Sequence, residues 1–251
     1  MAYDCFTETT AILVDGGFYR RRAYNLFGDK APEDRASELV EYCRRHLRHG
    51  KDLPANHLYR IFYYDCPPVS QNVYHPLLQK TINLGKTDTF GWSTDFLAAL
   101  ASKRKVAIRL GDLQERESGY KLKDKTVKAL CRGEIDFSQV SENDFELNLV
   151  QKGVDMRIGL DIASIATKRL ATQIVLIAGD SDFVPAAKFA RREGIDFILD
   201  PMWQKVRPEL NEHVDGLRSC VSRNPYPSSE RLCVGYNVDV SATATEVDLP
   251  V

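Results

Sequence analysis

The sequence lacks a charge excess of either sign. Its 34 lysines and arginines stand against 35 aspartates and glutamates, which gives a formal net charge of -1. A protein that binds nucleic acid over a broad surface usually carries a strong basic field. The balanced charge excludes such a field, so any contact with a polyanion must come from a local patch of basic residues.

Long apolar runs and paired cysteines are also missing. No apolar stretch is long enough to cross a membrane as a helix. The opening MAYDCFTETT has neither the basic start nor the apolar middle of a secretory signal. The 6 cysteines form no C-x-x-C pair, which fits neither a zinc ribbon nor a dense disulfide scaffold. We therefore expect a protein of the reducing cytoplasm with no membrane segment.

The composition is that of an ordinary globular chain. Hydrophobic residues make up 43% and charged residues 27% of 251 positions, enough for one α/β domain. Residues 114–151 are charged and poor in core positions, so we interpret them as an insertion. The polar runs NPYPSSE and SATATE indicate a loosely held tail. The predicted organisation is one domain over 8–220 with an insertion near 114–151, followed by a tail over 221–251.

Periodicity predicts alternating strands and helices. Short β-branched and aromatic runs predict strands, and apolar residues at helical spacing predict helices. A strand, a helix and a strand with short joints form a βαβ unit, which requires parallel strands. The predicted strands are Thr10–Asp15, Leu58–Tyr64, Lys105–Leu110, Gln173–Ala178 and Ile195–Leu199, and the predicted helices are Glu33–His49, Val154–Leu170 and Phe183–Arg192.

Aspartates occur where these strands end. Asp15 closes the first strand, Asp180 and Asp182 follow the QIVLIA strand, and Asp155 opens a helix. Ligands of open parallel sheets collect at the carboxyl ends of the strands, so we expect these four side chains to meet there. Four close carboxylates repel one another unless a hard cation such as Mg²⁺ or Mn²⁺ neutralises them. Such an ion suits phosphodiester hydrolysis.

Each aspartate also has a simpler interpretation. Aspartate is a favoured helix N-cap and turn residue, so Asp155 and Asp182 could be caps, and Asp15 could belong to an Asp-Gly-Gly turn. Asp161 lies about 120° around the helix from Asp155, which places it at the margin of the site or on the surface. Ser181 could contact a ligand or act as a cap. The combination of four positions carries more weight than any one of them.

Three segments resemble the NYN domain family, specifically its LabA-like branch within the PIN-like nuclease superfamily. They read AILVDGGFYR, QKGVDMRIGLDIASIA and IVLIAGDSDFVPAAKFARREGIDFIL and are distributed from Ala11 to Leu199. The resemblance implies a PIN-like Rossmannoid fold with three layers, in which helices flank a central, mainly parallel sheet. It also implies a metal-dependent ribonuclease and a homodimer. The metal ligands map onto Asp15, Asp155, Asp180 and Asp182.

Basic residues near the aspartates are candidate contacts for RNA, which we expect to be single-stranded. Arg20, Arg21 and Arg22 follow the first aspartate, and Lys152 comes shortly before Asp155. Their charge could position phosphates. A solvated helix face explains each arginine equally well. Gly85-Lys86-Thr87 is not a P-loop, because Lys80 stands where the first glycine is needed.

Three functions remain open at this stage. The leading hypothesis is an endoribonuclease that uses Mg²⁺ or Mn²⁺. A phosphatase of the haloacid dehalogenase type ranks lower, since it needs a second aspartate where this chain has Gly17. A non-catalytic RNA-binding or regulatory protein is the third. The balanced charge favours it, and so does Phe18, which stands where many NYN domains have asparagine.

Overall fold

The computed structural model describes residues 8–48, 55–113, 119–149 and 151–221. Its centre is a parallel sheet of six strands in the order β12-β11-β10-β1-β2-β5, and the other strands form three antiparallel pairs, β3-β4, β6-β9 and β7-β8. The strands are β1 (Thr9–Asp15), β2 (His57–Asp65), β3 (Asn72–His75), β4 (Lys80–Asn83), β5 (Val106–Leu110), β6 (Asp112–Leu113), β7 (Gly119–Leu122), β8 (Phe145–Asn148), β9 (Gln151–Lys152), β10 (Gln173–Ile177), β11 (Asp196–Asp200) and β12 (Gly216–Leu217).

Helices pack on both faces of the sheet, and a further helix lies in the charged segment after β5. The helices of the described residues are α1 (Gly16–Phe27), α2 (Pro32–Arg45), α3 (Asp88–Ala101), α4 (Asp124–Arg132), α5 (Val154–Thr167), α6 (Val184–Arg192) and α7 (Pro208–Asn211).

The alternation of side chains along β1 divides the core into two halves. Ala11 and Leu13 point to the layer that contains α5 and α6, whereas Ile12 and Val14 point to the layer of α1, α2 and α3. All four side chains are buried, as expected for a central strand covered on both faces. Each buried aliphatic side chain contributes about 1.5–3 kcal/mol of transfer free energy. The predicted fold, with a parallel sheet between two helical layers, is confirmed.

The helices show where local patterns were insufficient. The Asp-Gly-Gly sequence is not a separate turn, because α1 begins directly at Gly16 with Asp15 as its N-cap. Helix α2 ends at Arg45 rather than at His49. Gly50 follows the predicted helix at the position of a C′ cap and lies outside the described residues. Helix α3 was not predicted, because Gly91 and a mixed polar sequence obscure its apolar positions.

His46 is buried where the sequence alone favours a surface role, because the predicted helix around it is rich in arginine. Its side chain is fully buried, and Nε2 lies 2.9 Å from Asp200 Oδ2. Asp200 also accepts hydrogen bonds from the Tyr42 hydroxyl at 2.5 Å and from Ser219 Oγ at 2.8 Å. These contacts satisfy a buried carboxylate at the end of β11 and join it to α2. The sequence gives no local sign of them.

The charged segment after β5 forms an arm. The short β6 and β9 pair Asp112 with Lys152, so the chain leaves and rejoins the sheet layer at one place. Between them, β7 and β8 form an antiparallel pair, and α4 lies between these two strands in the sequence. The arm packs on β3, where the His75 ring lies 4.4 Å from the Tyr120 ring and 5.1 Å from the Phe145 ring. The arm, as named here, consists of the described residues between 112 and 152, which are 112–113, 119–149 and 151–152.

In the part of the chain that the structure describes, no helix has the length and apolar character needed to cross a membrane.

Candidate functional site

Four aspartates lie at the carboxyl edge of the central sheet. Strands β1 and β10 are parallel neighbours, so Asp15 at the end of β1 lies beside the segment that carries Asp180 and Asp182 after β10. Asp155 lies in the first turn of α5, which runs back across the sheet from that edge. The structure thus brings together the four carboxylates that strand-end reasoning selected.

Asp15 is held by the start of α1. Its Oδ1 accepts a hydrogen bond from the Phe18 backbone N–H at 3.1 Å, which makes it the N-cap of that helix. Burial raises the pKa of Asp15, and the negative charges of Asp155 and Asp65 raise this pKa further. The Phe18 N–H and Arg21 act in the opposite direction. Asp15 is therefore both a cap and a member of a group of repelling carboxylates.

Asp155 is close enough to the other three aspartates to interact with their charges. Partial burial raises the pKa of Asp155, and the charges of Asp180 and Asp182 raise it further. Coulombic effects of this kind decay with distance and are screened by salt, so they mark close neighbours. Asp155 is coupled to Asp15 on one side and to Asp180 and Asp182 on the other.

The donor type of these residues fits Mg²⁺ or Mn²⁺. Across residues 8–48, 55–113, 119–149 and 151–221, no three His, Cys, Asp or Glu side chains are grouped closely enough to hold a metal. Asp180 Oδ1 accepts a hydrogen bond from the Asp182 N–H at 3.3 Å. The carboxylates of Asp155 and Asp182 accept no hydrogen bond from the described residues. These two side chains can therefore change rotamer at little cost.

Phe18 has a packing role at this edge. Its side chain is buried, and its ring lies against Gly179, directly before Asp180. A Cβ built on Gly179 would lie 2.5 Å from Phe18 Cε2, so only glycine fits there. The contact sets the position of the Asp180 segment relative to α1.

Asp65 is a fifth carboxylate at this edge that the sequence analysis did not select. It ends β2, and its side chain is only 4% exposed. It accepts hydrogen bonds from Arg20 Nη2 at 3.0 Å, from the Tyr63 hydroxyl at 2.9 Å and from the Cys66 N–H at 2.8 Å. The strand-end rule that selected Asp15 would also have found Asp65, because LYRIFYYD ends in aspartate.

The three arginines of α1 have different surroundings. Arg20 forms an ion pair with Asp65. Arg22 donates to the Met202 carbonyl from both Nε and Nη2. Arg21 is exposed, and its Nε donates only to the Gly17 carbonyl within its own helix, at 3.3 Å. The charge of Arg21 is therefore the one directed toward solvent near Asp15.

The remaining candidates lie around the four aspartates. Lys152 is exposed on β9, directly before the turn that leads to Asp155. Asp161 accepts hydrogen bonds from the Tyr64 hydroxyl at 2.8 Å and from Arg109 Nε at 3.2 Å, so it joins α5 to the sheet. Ser181 lies 3.4 Å from Arg207 Nη1.

Part of the chain is similar to a known domain family. Residues 93–215 match the family model of the NYN domain. The NYN match is slightly less than half of the chain and contains Asp155, Asp180 and Asp182, whereas Asp15 precedes it. It begins within α3 and continues through the arm to β11.

No curated protein matches the chain. Among solved structures, the chain is similar to a protein of unknown function from Vibrio parahaemolyticus, with 13% sequence identity and a TM-score of 0.42. The alignment covers 86% of this chain and 94% of that one.

Proposed function

We propose that this protein is a metal-dependent endoribonuclease whose site is formed by Asp15, Asp155, Asp180 and Asp182. One observation carries the proposal: four aspartates from three separate segments lie at the carboxyl edge of a parallel sheet, where Asp155 raises the pKa of Asp15, and Asp180 and Asp182 raise the pKa of Asp155. Like charges held near one another cost folding free energy, so their presence at one place favours a functional role. The NYN match supports a nuclease as the class of enzyme.

Mg²⁺ or Mn²⁺ is the proposed cofactor because both prefer carboxylate oxygens. When bound, such an ion would polarise the phosphate and favour deprotonation of the attacking water. Closure of the four side chains around the ion is part of the proposal. Asp155 and Asp182 would move, whereas Asp15 would stay fixed by its bond to Phe18 N.

The protein's own residues would position the RNA backbone. Arg21 is exposed near Asp15, and Lys152 is exposed shortly before the start of α5, so two separate segments supply basic side chains next to the carboxylates. Phosphates on either side of the cleaved bond could contact them. Arg20 and Arg22 support this arrangement indirectly, through Asp65 and Met202.

The test is cleavage of a circular single-stranded RNA, which an exonuclease cannot attack. We expect cutting in Mn²⁺ or Mg²⁺, none in EDTA, and a loss of at least about 100-fold in Asp180→Asn, as for the removal of other groups that stabilise a transition state. Asp95→Asn on the exposed face of α3 is the matched control and should cut normally. Uncut RNA in every metal would contradict the proposal.

A non-catalytic RNA-binding protein is the second candidate. The observation that favours it is the absence, among the described residues, of three potential ligands close enough for one metal ion. This candidate predicts that wild type and Asp180→Asn bind RNA equally and that neither cuts it. The endoribonuclease predicts that both bind and only wild type cuts.

The finer assignments are also proposals. We place the chain in the LabA-like branch because of its Asp-Gly-Gly-Phe sequence, and we propose single-stranded RNA as substrate, a homodimeric state and a cytoplasmic location. The proposed domain spans 8–220 with the insertion near 114–151, and the tail 221–251 lies outside the described residues except for Val221. Light scattering of the purified protein would test the dimer.

A further inference from the structure

A cavity of about 420 Å³ lies beside the carboxylates, on the α3 side of the sheet. Four parts of the chain line it: α1, the end of β2 with the segment after it, the helix α3 with the turn before it, and the arm. This volume is within the usual range for small-molecule sites. The cavity is separate from the four proposed metal ligands, none of which lines it.

The walls are mainly apolar and include aromatic rings. Pro67 comes from the end of β2, Phe90 and Phe96 come from α3, and Tyr120 and Leu147 come from the arm. The arm wall is fixed in place, because the Tyr120 ring packs 4.4 Å from the buried His75 ring. A preformed slot lined by rings suits a flat aromatic ligand, which can stack on them.

Polar groups in the lining indicate a ligand with hydrogen-bonding edges. Ser93 lines the cavity, and its hydroxyl forms no hydrogen bond with the described residues. This hydroxyl is not among the fully buried polar atoms of the described residues that lack a partner, so it is open to the cavity and can bond to a ligand. The Thr89 hydroxyl also lies at the lining.

The charge of the cavity favours a neutral ligand. Arg20 and Asp65 both line it and form an ion pair with each other through Arg20 Nη2, so the pair has no net charge. The buried Arg20 Nε has no partner among the described residues and can donate a hydrogen bond to a ligand. Asp65 directly follows Tyr64, which is paired with Asp15 between the neighbouring strands β2 and β1, so the cavity adjoins the carboxylates. A ligand with a neutral ring in the cavity could therefore extend its charged part toward Arg21 and the four aspartates.

We propose that this cavity binds one nucleobase of the RNA, with the attached phosphate directed toward the carboxylates. A base has flat faces for the rings and a polar edge for Ser93, as in other proteins that hold splayed single-stranded bases. The inference rests on the proposed function for its choice of RNA. It makes the protein sensitive to the base at one position of the strand.

The experiment is a binding series with the full chain in EDTA, where no RNA is cut. A single-stranded oligonucleotide is compared with versions that carry an abasic nucleotide at each position in turn. We expect one position at which base removal weakens binding about tenfold, because stacking contributes about 1–3 kcal/mol per base. Ser93→Leu, which fills the cavity, should reduce this difference to less than about twofold.

Two further variants make the result specific. Ser93→Ala removes the hydroxyl without adding bulk, so it should keep the stacking and lose discrimination among the four bases. Thr94→Leu, on the exposed face of the same helix, is the matched control and should behave as wild type. Circular dichroism and thermal melting of each variant establish that it folds.

The outcomes separate the cavity from the nuclease. Wild-type binding that is equally tight for every abasic oligonucleotide, or no binding of RNA at all, would overturn the nucleobase pocket. Metal-dependent cutting of RNA without an effect of abasic nucleotides on binding would support the nuclease and contradict the nucleobase pocket. An abasic effect that Ser93→Leu removes supports the pocket even if no metal gives cleavage.

Discussion

Gly16 and Gly17 are adjacent in the sequence but have different surroundings. A Cβ on Gly16 would lie 2.5 Å from Tyr63 Cζ and 2.6 Å from the Tyr64 carbonyl oxygen. A Cβ on Gly17 would meet nothing closer than Asp15 Oδ1, at 3.5 Å. The first glycine lets α1 pack directly against β2, so the site geometry depends on it, whereas the second has room for a side chain.

This difference predicts opposite behaviour of two alanine variants. Gly16→Ala should lower the free energy of unfolding by about 1–3 kcal/mol, because a buried side chain and backbone must shift. Gly17→Ala should change it by less than about 1 kcal/mol, since alanine is the better helix former. Urea unfolding followed by circular dichroism measures both. Equal losses of unfolding free energy in the two variants would show that the contact with Tyr63 does not prevent a side chain at position 16.

At the scale of one helix, two of the three arginines of α1 stabilise the fold, and the third is available for substrate. Arg20 and Arg22 bond to other elements, through Asp65 and the Met202 carbonyl, and these contacts attach α1 to β2 and to the segment after β11. Arg21 points away from these contacts and is exposed. The consecutive basic residues appear equivalent in the sequence, and only their helical phase distinguishes them.

Arg21→Ala and Arg22→Ala should therefore have separable effects. Arg22→Ala should lower the free energy of unfolding by about 1–2 kcal/mol, because it leaves the Met202 carbonyl without its donors. Arg21→Ala should change the free energy of unfolding by less than about 0.5 kcal/mol. It should weaken RNA binding and make the affinity less dependent on salt concentration, by the amount that corresponds to about one phosphate contact. Fluorescence anisotropy at several salt concentrations measures the binding.

Lys168→Ala is the control for Arg21, because this exposed residue follows α5, close to the start of β10 at the other edge of the sheet. It removes the same charge and should not change RNA binding. A loss in Lys168→Ala as large as that in Arg21→Ala would indicate that binding follows net charge rather than this patch.

For the whole molecule, the aspartates at the carboxyl edge of the sheet connect the free energy of unfolding with the proposed metal binding. Burial and like charges raise the pKa of Asp15, so its ionised form costs folding free energy at neutral pH. The stability associated with protonated Asp15 is present at low pH and is lost as the pH rises through its raised pKa. A bound cation would offset this repulsion in the folded state and leave the unfolded chain unaffected.

Thermal melting with and without Mn²⁺ tests this link. In EDTA at pH 7, Asp15→Asn should be more stable than wild type by about 1 kcal/mol, since asparagine keeps the N-cap without the charge. Mn²⁺ at about 100 times its dissociation constant should stabilise wild type by about 2.7 kcal/mol and the variant much less. The advantage of the variant in EDTA should disappear near pH 3.8, the ordinary pKa of this carboxyl. Identical melting curves of wild type with Mn²⁺ and EDTA would contradict metal binding.

The sequence by itself determined the central part of the fold. Apolar runs flanked by Asp and Gly predicted the positions of β1, β2, β5, β10 and β11, because strands covered on both faces are continuous hydrophobic segments. Short joints required parallel strands. The strand-end rule then placed Asp15, Asp180 and Asp182 at one edge, and the structure brings them there with Asp155. Their role as metal ligands stays a prediction.

Only the tertiary structure decided which residues complete the surroundings of that edge. Asp65 pairs with Arg20 across 45 positions of sequence, and His46 meets Asp200 across 154. Tyr120 reaches the cavity because the arm packs on His75. Such contacts leave no periodic signal, since each depends on where two distant segments meet. Local patterns record which face of an element is apolar, and packing decides which polar side chains become neighbours.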